Sequence, residues 1–334
     1  MSQPLVSVVI PSFNHARFVT EAVDSVLAQT NCRLEIIVVD DGSTDNTRDV
    51  LAPYSSQIRY IYQENRGLPG ARNTGIRAAT GEWVAVLDSD DTWHPQKTER
   101  QLAAVAQHPE VDVVGSPGGD DPFPESLPLD PPTAFVSVRD FLLITPMSAS
   151  STMIRRRCFD AVGLFDETLR SAEDRDMWLR LAAKFKVLQV KSPCWFYRVH
   201  EGQMSRNPQR MYDNFRTVLD KFFREHPKHR SLSPMAYAFL YQDAAICYAE
   251  ANQRFTAIQM ILRSMWSYPG ELGKGRFGRS KLLTRFLLGQ GVIGCLKRAT
   301  SAGSANCESS CETSSDAPPT ATKTPSTTKE KTLA

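Results

Sequence analysis

Residues 83–94 read WVAVLDSDDTWH, and their character changes abruptly at the midpoint. The apolar run 83–87 is typical of a strand that is buried on both faces of a parallel sheet. Asp88, Asp90 and Asp91 follow within four positions, where their like charges repel one another. A divalent cation would remove that repulsion, and carboxylate oxygens suit Mg²⁺ or Mn²⁺. Because ligands in open α/β sheets collect at the carboxyl ends of strands, the stretch predicts a site for a metal and a diphosphate.

The same acidic stretch has a second explanation, which needs no metal. Asp91 or Thr92 could cap a helix that Pro95 opens, since both residue types accept hydrogen bonds from the first backbone N–H groups of a helix. Short acidic motifs also arise by chance. On these residues alone, a metal site and an acidic strand-to-helix loop both remain open.

The chain has 334 residues, of which 41% are hydrophobic, and this bounds its class. It is long enough for one large or two modest domains with a sizeable core. A formal net charge of +2 is too balanced for a nucleic-acid binder, so no nucleic-acid partner is expected. Seven scattered cysteines predict no disulfide framework and a reducing compartment. No signal peptide is visible and no apolar run approaches about 20 residues, so we expect a soluble, cytoplasmic protein.

Strand-like and helix-like segments alternate from the start of the chain. Short apolar runs typical of buried strands occupy 5–10, 34–39, 58–62, 83–87 and 111–115. Apolar residues at helical spacing lie between them, and this alternation predicts an α/β fold with a mostly parallel, doubly wound sheet and right-handed crossovers. The sequence contains no GxGxxG after the first strand and no GxxxxGKS or GxxxxGKT. Their absence argues against a dinucleotide-binding dehydrogenase and a P-loop enzyme.

The composition changes twice beyond residue 210. Residues 1–210 contain the alternating pattern and predict one domain, 211–299 form a helical C-terminal region, and the Ser/Thr/Pro-rich tail 300–334 is expected to be disordered. Within the helical region, 276–297 interleaves basic residues with leucine and phenylalanine. This pattern is typical of a peripheral helix, which would hold the protein at the inner face of the membrane. A helix packed on the domain with a solvated basic face is the simpler explanation.

Acidic pairs also lie at 40–41 and 173–174, where a predicted strand ends and a predicted helix begins. Six segments then occur in a familiar order: VSVVIPSFN (6–14), SVLAQT (25–30), EIIVVDDGSTDNT (35–47), ENRGLPGARNTGIRAATGEWVAVLDSDD (64–91), VGLFDE (162–167) and EDRDMWLRL (173–181). Together they resemble the inverting glycosyltransferases of family 2, which have the A-type nucleotide-sugar-binding fold. The resemblance covers residues 5–205 and leaves out the helical region and the tail.

The resemblance implies that the protein moves a sugar from a nucleotide-diphosphate donor, with UDP-sugars as the first expectation. The implied acceptor is a hydroxyl on a glycan, a lipid-linked molecule or a protein, in polysaccharide or glycoconjugate synthesis. The implied cofactor is Mn²⁺ or Mg²⁺. An acceptor hydroxyl is a poor nucleophile at neutral pH, so a carboxylate that takes its proton is needed. Attack opposite the leaving group inverts the sugar in one displacement, so a single base suffices.

The resemblance also implies roles for twelve side chains, which should meet in one cleft. The nucleotide-binding set contains Pro11, Phe13, Asn14, Asp41, Arg72 and Asp88. The implied catalytic base is Asp174, and the implied metal ligands are Asp90 and His200. Further candidates beside these groups are Ser89, Asp91 and Glu173. For His200, a structural histidine held by hydrogen bonds remains an equally open alternative.

Two other functions fit parts of the pattern. A nucleotidyltransferase on a related sheet would need a glycine-rich, basic loop after the first strand, and PSFNHARF (11–18) lacks the glycines. A non-catalytic nucleotide-sugar-binding module would not need a complete set of acidic residues. Every one of these site predictions depends on geometry, because Asp41, Asp90 and Asp174 are far apart in the sequence and must face one cleft.

Overall fold

The computed structural model describes residues 3–119, 131–144, 146–198, 200, 207–270, 272, 278–284 and 286–287. Its strands are β1 (Leu5–Ser12), β2 (Arg33–Asp40), β3 (Arg59–Tyr62), β4 (Trp83–Val86), β5 (Thr92–Trp93), β6 (Val113–Gly115), β7 (Gly118–Gly119), β8 (Thr133–Val136), β9 (Met153–Arg155), β10 (Val187–Val190) and β11 (Trp195–Phe196). Its α-helices are α1 (Val19–Leu27), α2 (Thr47–Leu51), α3 (Gly67–Ala78), α4 (Lys97–Gln107), α5 (Val138–Leu143), α6 (Arg157–Val162), α7 (Glu173–Lys184), α8 (Pro208–Glu225), α9 (Ser233–Glu250) and α10 (Arg254–Ser267). The tail 300–334 and much of the basic segment 276–297 lie outside the described residues.

Eight strands form the main sheet in the order β3–β2–β1–β4–β9–β6–β10–β8. Strands β3, β2, β1 and β4 pair in parallel, and β6 is parallel to β10. The predicted mostly parallel α/β sheet is therefore confirmed. Two short strands are antiparallel, which the sequence did not predict: β9 lies between β4 and β6, and β8 pairs with β10 at the edge. The direction of a short strand depends on which strands lie beside it, and an apolar run of three or four residues does not contain that information.

Helices cover both faces of the sheet, as a doubly wound fold requires. Along β1, Val9 belongs to one apolar cluster together with residues of α3 and α7. Val8 and Ile10 point to the opposite face and belong to a second cluster with residues of α1. This alternation follows from the two-residue period of a strand. The close packing of α3 on β1 depends on Gly75, because a Cβ at this position would lie 2.2 Å from Val9 Cγ1.

The helices α8, α9 and α10 extend the first apolar cluster. Phe215 and Phe222 of α8 share it with Trp178 of α7, whose side chain is buried. Residues Met1–Leu287 form one compact unit. Helix α8 begins close to the predicted boundary at residue 210, but the division of the chain into domains stays a prediction. None of the described helices combines the length and the apolar composition that crossing a bilayer requires.

The helix-cap explanation of the acidic stretch is wrong. Helix α4 begins at Lys97, so neither Asp91 nor Thr92 caps it. Thr92 lies in β5, and the carboxylate of Asp91 accepts hydrogen bonds from Ser150 and from the backbone N–H of Arg198. The acidic stretch is instead the loop that joins β4 to β5.

Candidate active site

The carboxyl ends of β1, β2 and β4 lie side by side, because these strands are parallel neighbours in the sheet. The loops that follow them line a cavity of about 710 Å³, together with the start of α7. All twelve predicted site residues line this cavity: Pro11, Phe13, Asn14, Asp41, Arg72, Asp88, Ser89, Asp90, Asp91, Glu173, Asp174 and His200. The structure thus brings Asp41, Asp90 and Asp174 into one cleft, while the role of each residue stays a prediction.

Asp41 is fixed at the end of β2 by three hydrogen bonds. Its backbone N–H donates to the carbonyl of Ser12 at 2.8 Å, which ties it to the end of β1. Its Oδ1 accepts from Gln63 Nε2 at 2.6 Å and from the backbone N–H of Arg66 at 2.9 Å. Both side-chain contacts use Oδ1, so they set the position of the carboxylate, which lines the cavity.

Asn14 and Phe13 form the loop after β1. Asn14 has a φ of +54°, a left-handed conformation that asparagine tolerates better than most residues. Its Oδ1 accepts from the backbone N–H groups of Thr44 at 2.8 Å and Asp45 at 3.3 Å, which joins this loop to the loop after β2. Phe13 is 45% exposed and lines the cavity. Asn14 therefore shapes the pocket through the backbone of its neighbour loop.

A buried arginine joins the acidic loop to α7. Arg72 of α3 is almost fully buried; its Nη2 donates to Asp88 Oδ1 and its Nη1 to Glu173 Oε1, each at 2.6 Å. Burial would lower the pKa of Arg72, but the charges of Asp88 and Glu173 outweigh it and raise the pKa. Burial also raises the pKa of both carboxyl groups, and Arg72 opposes that rise. The guanidinium that the resemblance places at the nucleotide is thus engaged by two carboxylates.

Asp91 holds the acidic loop in place. Its Oδ2 accepts from Ser150 Oγ at 2.6 Å, and its Oδ1 accepts from the backbone N–H of Arg198 at 3.2 Å. The Ser150 hydroxyl also accepts from the backbone N–H of Asp88 at 3.1 Å. Burial raises the pKa of Asp91 to about 8, and the charge of Asp88 adds to this rise. The hydrogen bonds of Asp91 therefore suit a structural role, which is to hold the acidic loop against Ser150 and the backbone at Arg198.

Three side chains are grouped closely enough to hold a cation. Ligand atoms of His15, Asp90 and His200 lie within 4.8 Å of one another. His200 Nε2 is 2.9 Å from Asp90 Oδ2, and His15 Nδ1 is 2.8 Å from Ser89 Oγ. Burial lowers the pKa of His15 below its usual value, which favours the neutral imidazole that binds metals. Two imidazoles and a carboxylate are a mixed nitrogen and oxygen donor set that suits first-row divalent ions.

The sequence analysis missed His15. It lies beyond the first strand in PSFNHARF, where the prediction considered only the proline, the aromatic residue and the asparagine. The signal that could have found it is topological: β1 pairs with β4, so the loop after β1 must pass close to the acidic loop after β4. A histidine in that loop is within reach of Asp90.

Asp174 lies in the first turn of α7, where the helix dipole favours a negative charge. The preceding Ala172 has a φ of +59°, a left-handed conformation that is strained for alanine. The two acids that follow this turn, Glu173 and Asp174, have different hydrogen-bond partners. Glu173 contacts Arg72, whereas the Oδ1 of Asp174 accepts from the adjacent backbone N–H of Arg175 at 2.7 Å. Asp174 is half-buried and lines the cavity.

The helical C-terminal region also reaches the cavity. Met211, in the first turn of α8, lines it beside Ser171. Asn214 Nδ2 donates to Ser171 Oγ at 2.9 Å, which ties α8 to the segment just before α7. The first turn of α8 is therefore part of the site, although the motifs of the sequence end before it.

Known proteins share both the sequence pattern and the fold of this chain. The sequence model of Glycosyl transferase family 2 matches residues 7–163, and that of Glycosyltransferase like family 2 matches residues 130–241. An uncharacterized glycosyltransferase of Rickettsia typhi is 32% identical over 243 residues, which cover 69% of this chain and 74% of that protein. The match therefore extends over most of both chains.

Two solved structures are similar at low sequence identity. The mannosyltransferase PcManGT from Pyrobaculum calidifontis, in complex with GDP-Man and Mn²⁺, has a TM-score of 0.57 at 19% identity and covers 92% of this chain and 82% of its own. Staphylococcus aureus TarS 1–349, in complex with UDP-GlcNAc, has a TM-score of 0.54 at 18% identity. The match covers 85% of this chain and 92% of the TarS chain. These structures confirm the A-type glycosyltransferase fold. The Rickettsia relative and the family matches identify the chain as a glycosyltransferase that belongs to glycosyltransferase family 2.

Proposed function

We propose that this protein is an inverting, metal-dependent glycosyltransferase that moves a sugar from a UDP-sugar to an acceptor hydroxyl. The observation that supports the proposal most strongly is the meeting of Asp41, Asp90 and Asp174 in one cavity at the carboxyl edge of the sheet. A cavity of about 710 Å³ is large enough for a nucleotide sugar. Asp41 and Phe13 would hold the base, and Asp88 would contact the donor beside Arg72.

In the proposed mechanism, Asp174 acts as the general base. Its carboxylate takes the proton of the acceptor hydroxyl while the hydroxyl oxygen bonds to the anomeric carbon of the sugar. The bond from that carbon to the diphosphate oxygen breaks, and its electrons leave with the nucleoside diphosphate. Attack from the opposite side inverts the anomeric configuration, so the reaction needs one base and no covalent intermediate. The half-buried position of Asp174 beside the cavity suits this role.

Asp90, His200 and His15 would hold the cation. Mn²⁺ or Mg²⁺ bound there would stabilise the negative charge that develops on the diphosphate. Asp90 and His200 follow from the family resemblance, and the grouping of their ligand atoms with those of His15 supports the assignment. The Mn²⁺ in the PcManGT structure supports a metal in this fold, without identifying the metal of this protein.

The acceptor and the setting of the reaction stay proposals. A glycan, a lipid-linked molecule or a protein is expected to provide the hydroxyl, in cytoplasmic polysaccharide or glycoconjugate synthesis. Within the basic segment 276–297, the structure describes 278–284 and 286–287, of which Leu282 and Phe286 are buried. Their burial supports a packed helix over one that lies in a membrane through these residues. Contact with the inner face of a membrane through this segment therefore stays a prediction.

The donor is tested with a panel of UDP-, GDP- and TDP-sugars. We expect a UDP-sugar with Mn²⁺ to raise the melting temperature of the protein and to be turned over, because the family resemblance assigns Asp41 to the uracil ring and Asp41 lines the cavity. Turnover is measured as the release of UDP, with and without EDTA. The similar TarS structure contains UDP-GlcNAc and the similar PcManGT structure contains GDP-Man, so the panel includes both nucleotide sugars. Binding without any turnover on the panel would favour a non-catalytic module, and turnover of GDP-sugars alone would contradict the UDP assignment.

Metal binding is tested by removing ligands singly. We expect Asp90→Asn, His200→Ala and His15→Ala each to weaken Mn²⁺ binding by at least about tenfold, since each change removes one donor from a small set. Isothermal titration of the protein with Mn²⁺ measures the effect without any donor sugar. His108→Ala is the matched control, because His108 does not line the cavity. If His15→Ala retains the affinity of the unmodified protein, His15 is not a ligand and the site contains only the other two.

A further inference from the structure

Helix α10 is apolar on two opposite faces. Ala257, Ile261 and Ser264 form its inner face and are fully buried, and Ser264 Oγ donates to the carbonyl of Ala238 in α9 at 2.6 Å. At 100° per residue, the opposite face contains Phe255, Leu262 and Trp266, with the exposed Gln259 at its edge. An amphipathic surface helix would present polar residues there. The outer face is therefore not explained by packing on α9.

These outer side chains are among the most exposed large apolar groups of the described chain. Trp266 is 89% exposed, Phe255 is 75% exposed and Leu262 is 49% exposed. Single exposed apolar residues are common, but three on one narrow stripe of a helix mark a contact surface. Leu287 lies close to the start of α10, because its carbonyl accepts a hydrogen bond from the side chain of Arg254. Its side chain is 56% exposed.

The surroundings of the stripe are basic. Arg263 is exposed on the flank of α10, and Lys281 is exposed on the segment that Arg279 anchors to the end of α10. Arg279 Nη1 donates to the carbonyls of Ser264 at 2.9 Å and Tyr268 at 2.5 Å. In the sequence, residues 254–298 contain nine lysines and arginines and one acid. Among the described residues, Arg263 and Lys281 give the surroundings of the stripe a positive potential.

We propose that the outer face of α10, with Phe255, Leu262 and Trp266 as its apolar contacts and Arg263 and Lys281 as basic ones, binds an anionic lipid surface. Apolar side chains with a tryptophan, flanked by basic residues and located on a helix that does not span the bilayer, match the chemistry of the lipid headgroup and acyl boundary. A second copy of the chain fits less well, because a symmetric contact would bring the same basic residues against each other. This surface is separate from the donor cavity, and none of its residues lines that cavity.

The full chain is tested by co-sedimentation with vesicles of phosphatidylcholine, with and without phosphatidylglycerol. We expect it to partition onto the anionic vesicles, and Phe255→Ser with Trp266→Ser to lower the partition coefficient by at least about tenfold, because two apolar contacts are lost. Arg263→Gln with Lys281→Gln should lower it on the order of tenfold, and only on anionic vesicles. Added salt should have the same effect as removing these charges.

The matched control is Tyr62→Ser with Phe135→Ser, two exposed aromatic side chains that lie on β3 and β8, which should leave partition unchanged. Circular dichroism and the melting temperature establish that each variant is folded. Failure of the unmodified chain to bind anionic vesicles would overturn the proposal, as would binding that survives the loss of Phe255 and Trp266. A concentration-dependent dimer that Trp266→Ser dissociates, without vesicle binding, would assign the face to a second copy instead. The assay contains no donor sugar, so its outcome is independent of the proposed catalysis.

Discussion

Replacement of Asp174 with asparagine is expected to lower kcat for sugar transfer by about 10²–10⁴-fold, which is the usual contribution of a general base. Asparagine retains the size of the side chain and can accept a hydrogen bond from Arg175, as the Oδ1 of Asp174 does at 2.7 Å. It cannot take up the proton of an acceptor hydroxyl. Because Asp174 is not expected to contact the nucleotide, the affinity for UDP should remain nearly unchanged.

The measurement combines steady-state transfer with UDP titration on the same preparation. Asp160→Asn is the matched control, since Asp160 also lies in the first turn of a helix but is exposed and outside the cavity. Its kcat should equal that of the unmodified protein. Full activity of Asp174→Asn would show that another group takes the proton. Loss of UDP binding together with activity would instead indicate a disturbed cavity and would leave Asp174 without a specific role in proton transfer.

The sequence predicted the part of the site that depends on parallel strands. The apolar runs that became β1, β2 and β4 are long or strongly apolar, and each is followed by a polar loop. Once these strands are placed in parallel, their carboxyl ends must share an edge. For this reason the predicted residues of three separate loops line one cavity in the structure.

The contacts that join distant elements could not be predicted from local patterns. Arg72 and Glu173 are 101 positions apart in the sequence. The rings of His15 and His200 lie 5.8 Å apart, although one residue is near the start of the chain and the other follows β11. The antiparallel position of β9 between β4 and β6 could not be predicted either, because it depends on which strands are neighbours. Met211 lines the cavity because α8 packs beside the turn before α7. In each case the decisive information is which elements are neighbours, and hydrophobic periodicity does not contain it.

Replacement of Arg72 with methionine is expected to lower the free energy of unfolding by about 3–5 kcal/mol, because it leaves the buried carboxylate of Glu173 and the partly exposed carboxylate of Asp88 without their cation. Methionine fills a similar volume, so the loss is chiefly electrostatic. Urea unfolding at neutral pH measures it. Arg66→Met is the matched control: Arg66 pairs with Glu167 at 2.8 Å, but both side chains are substantially exposed, so we expect a loss within about 1 kcal/mol.

The pH dependence separates lost charge pairing from lost packing. Burial raises the pKa of Glu173 in the folded protein, and Arg72 opposes that rise, so the pKa should increase further in Arg72→Met. The folded variant then retains a proton that the unfolded chain releases above about pH 4.3, so its stability should fall as the pH rises through the range between the two pKa values. Adding Glu173→Gln should remove much of this pH dependence and recover part of the stability, since one buried charge is gone. If Arg72→Met costs no more than Arg66→Met, and equally at all pH values, the buried bridge between the acidic loop and α7 does not stabilise the site.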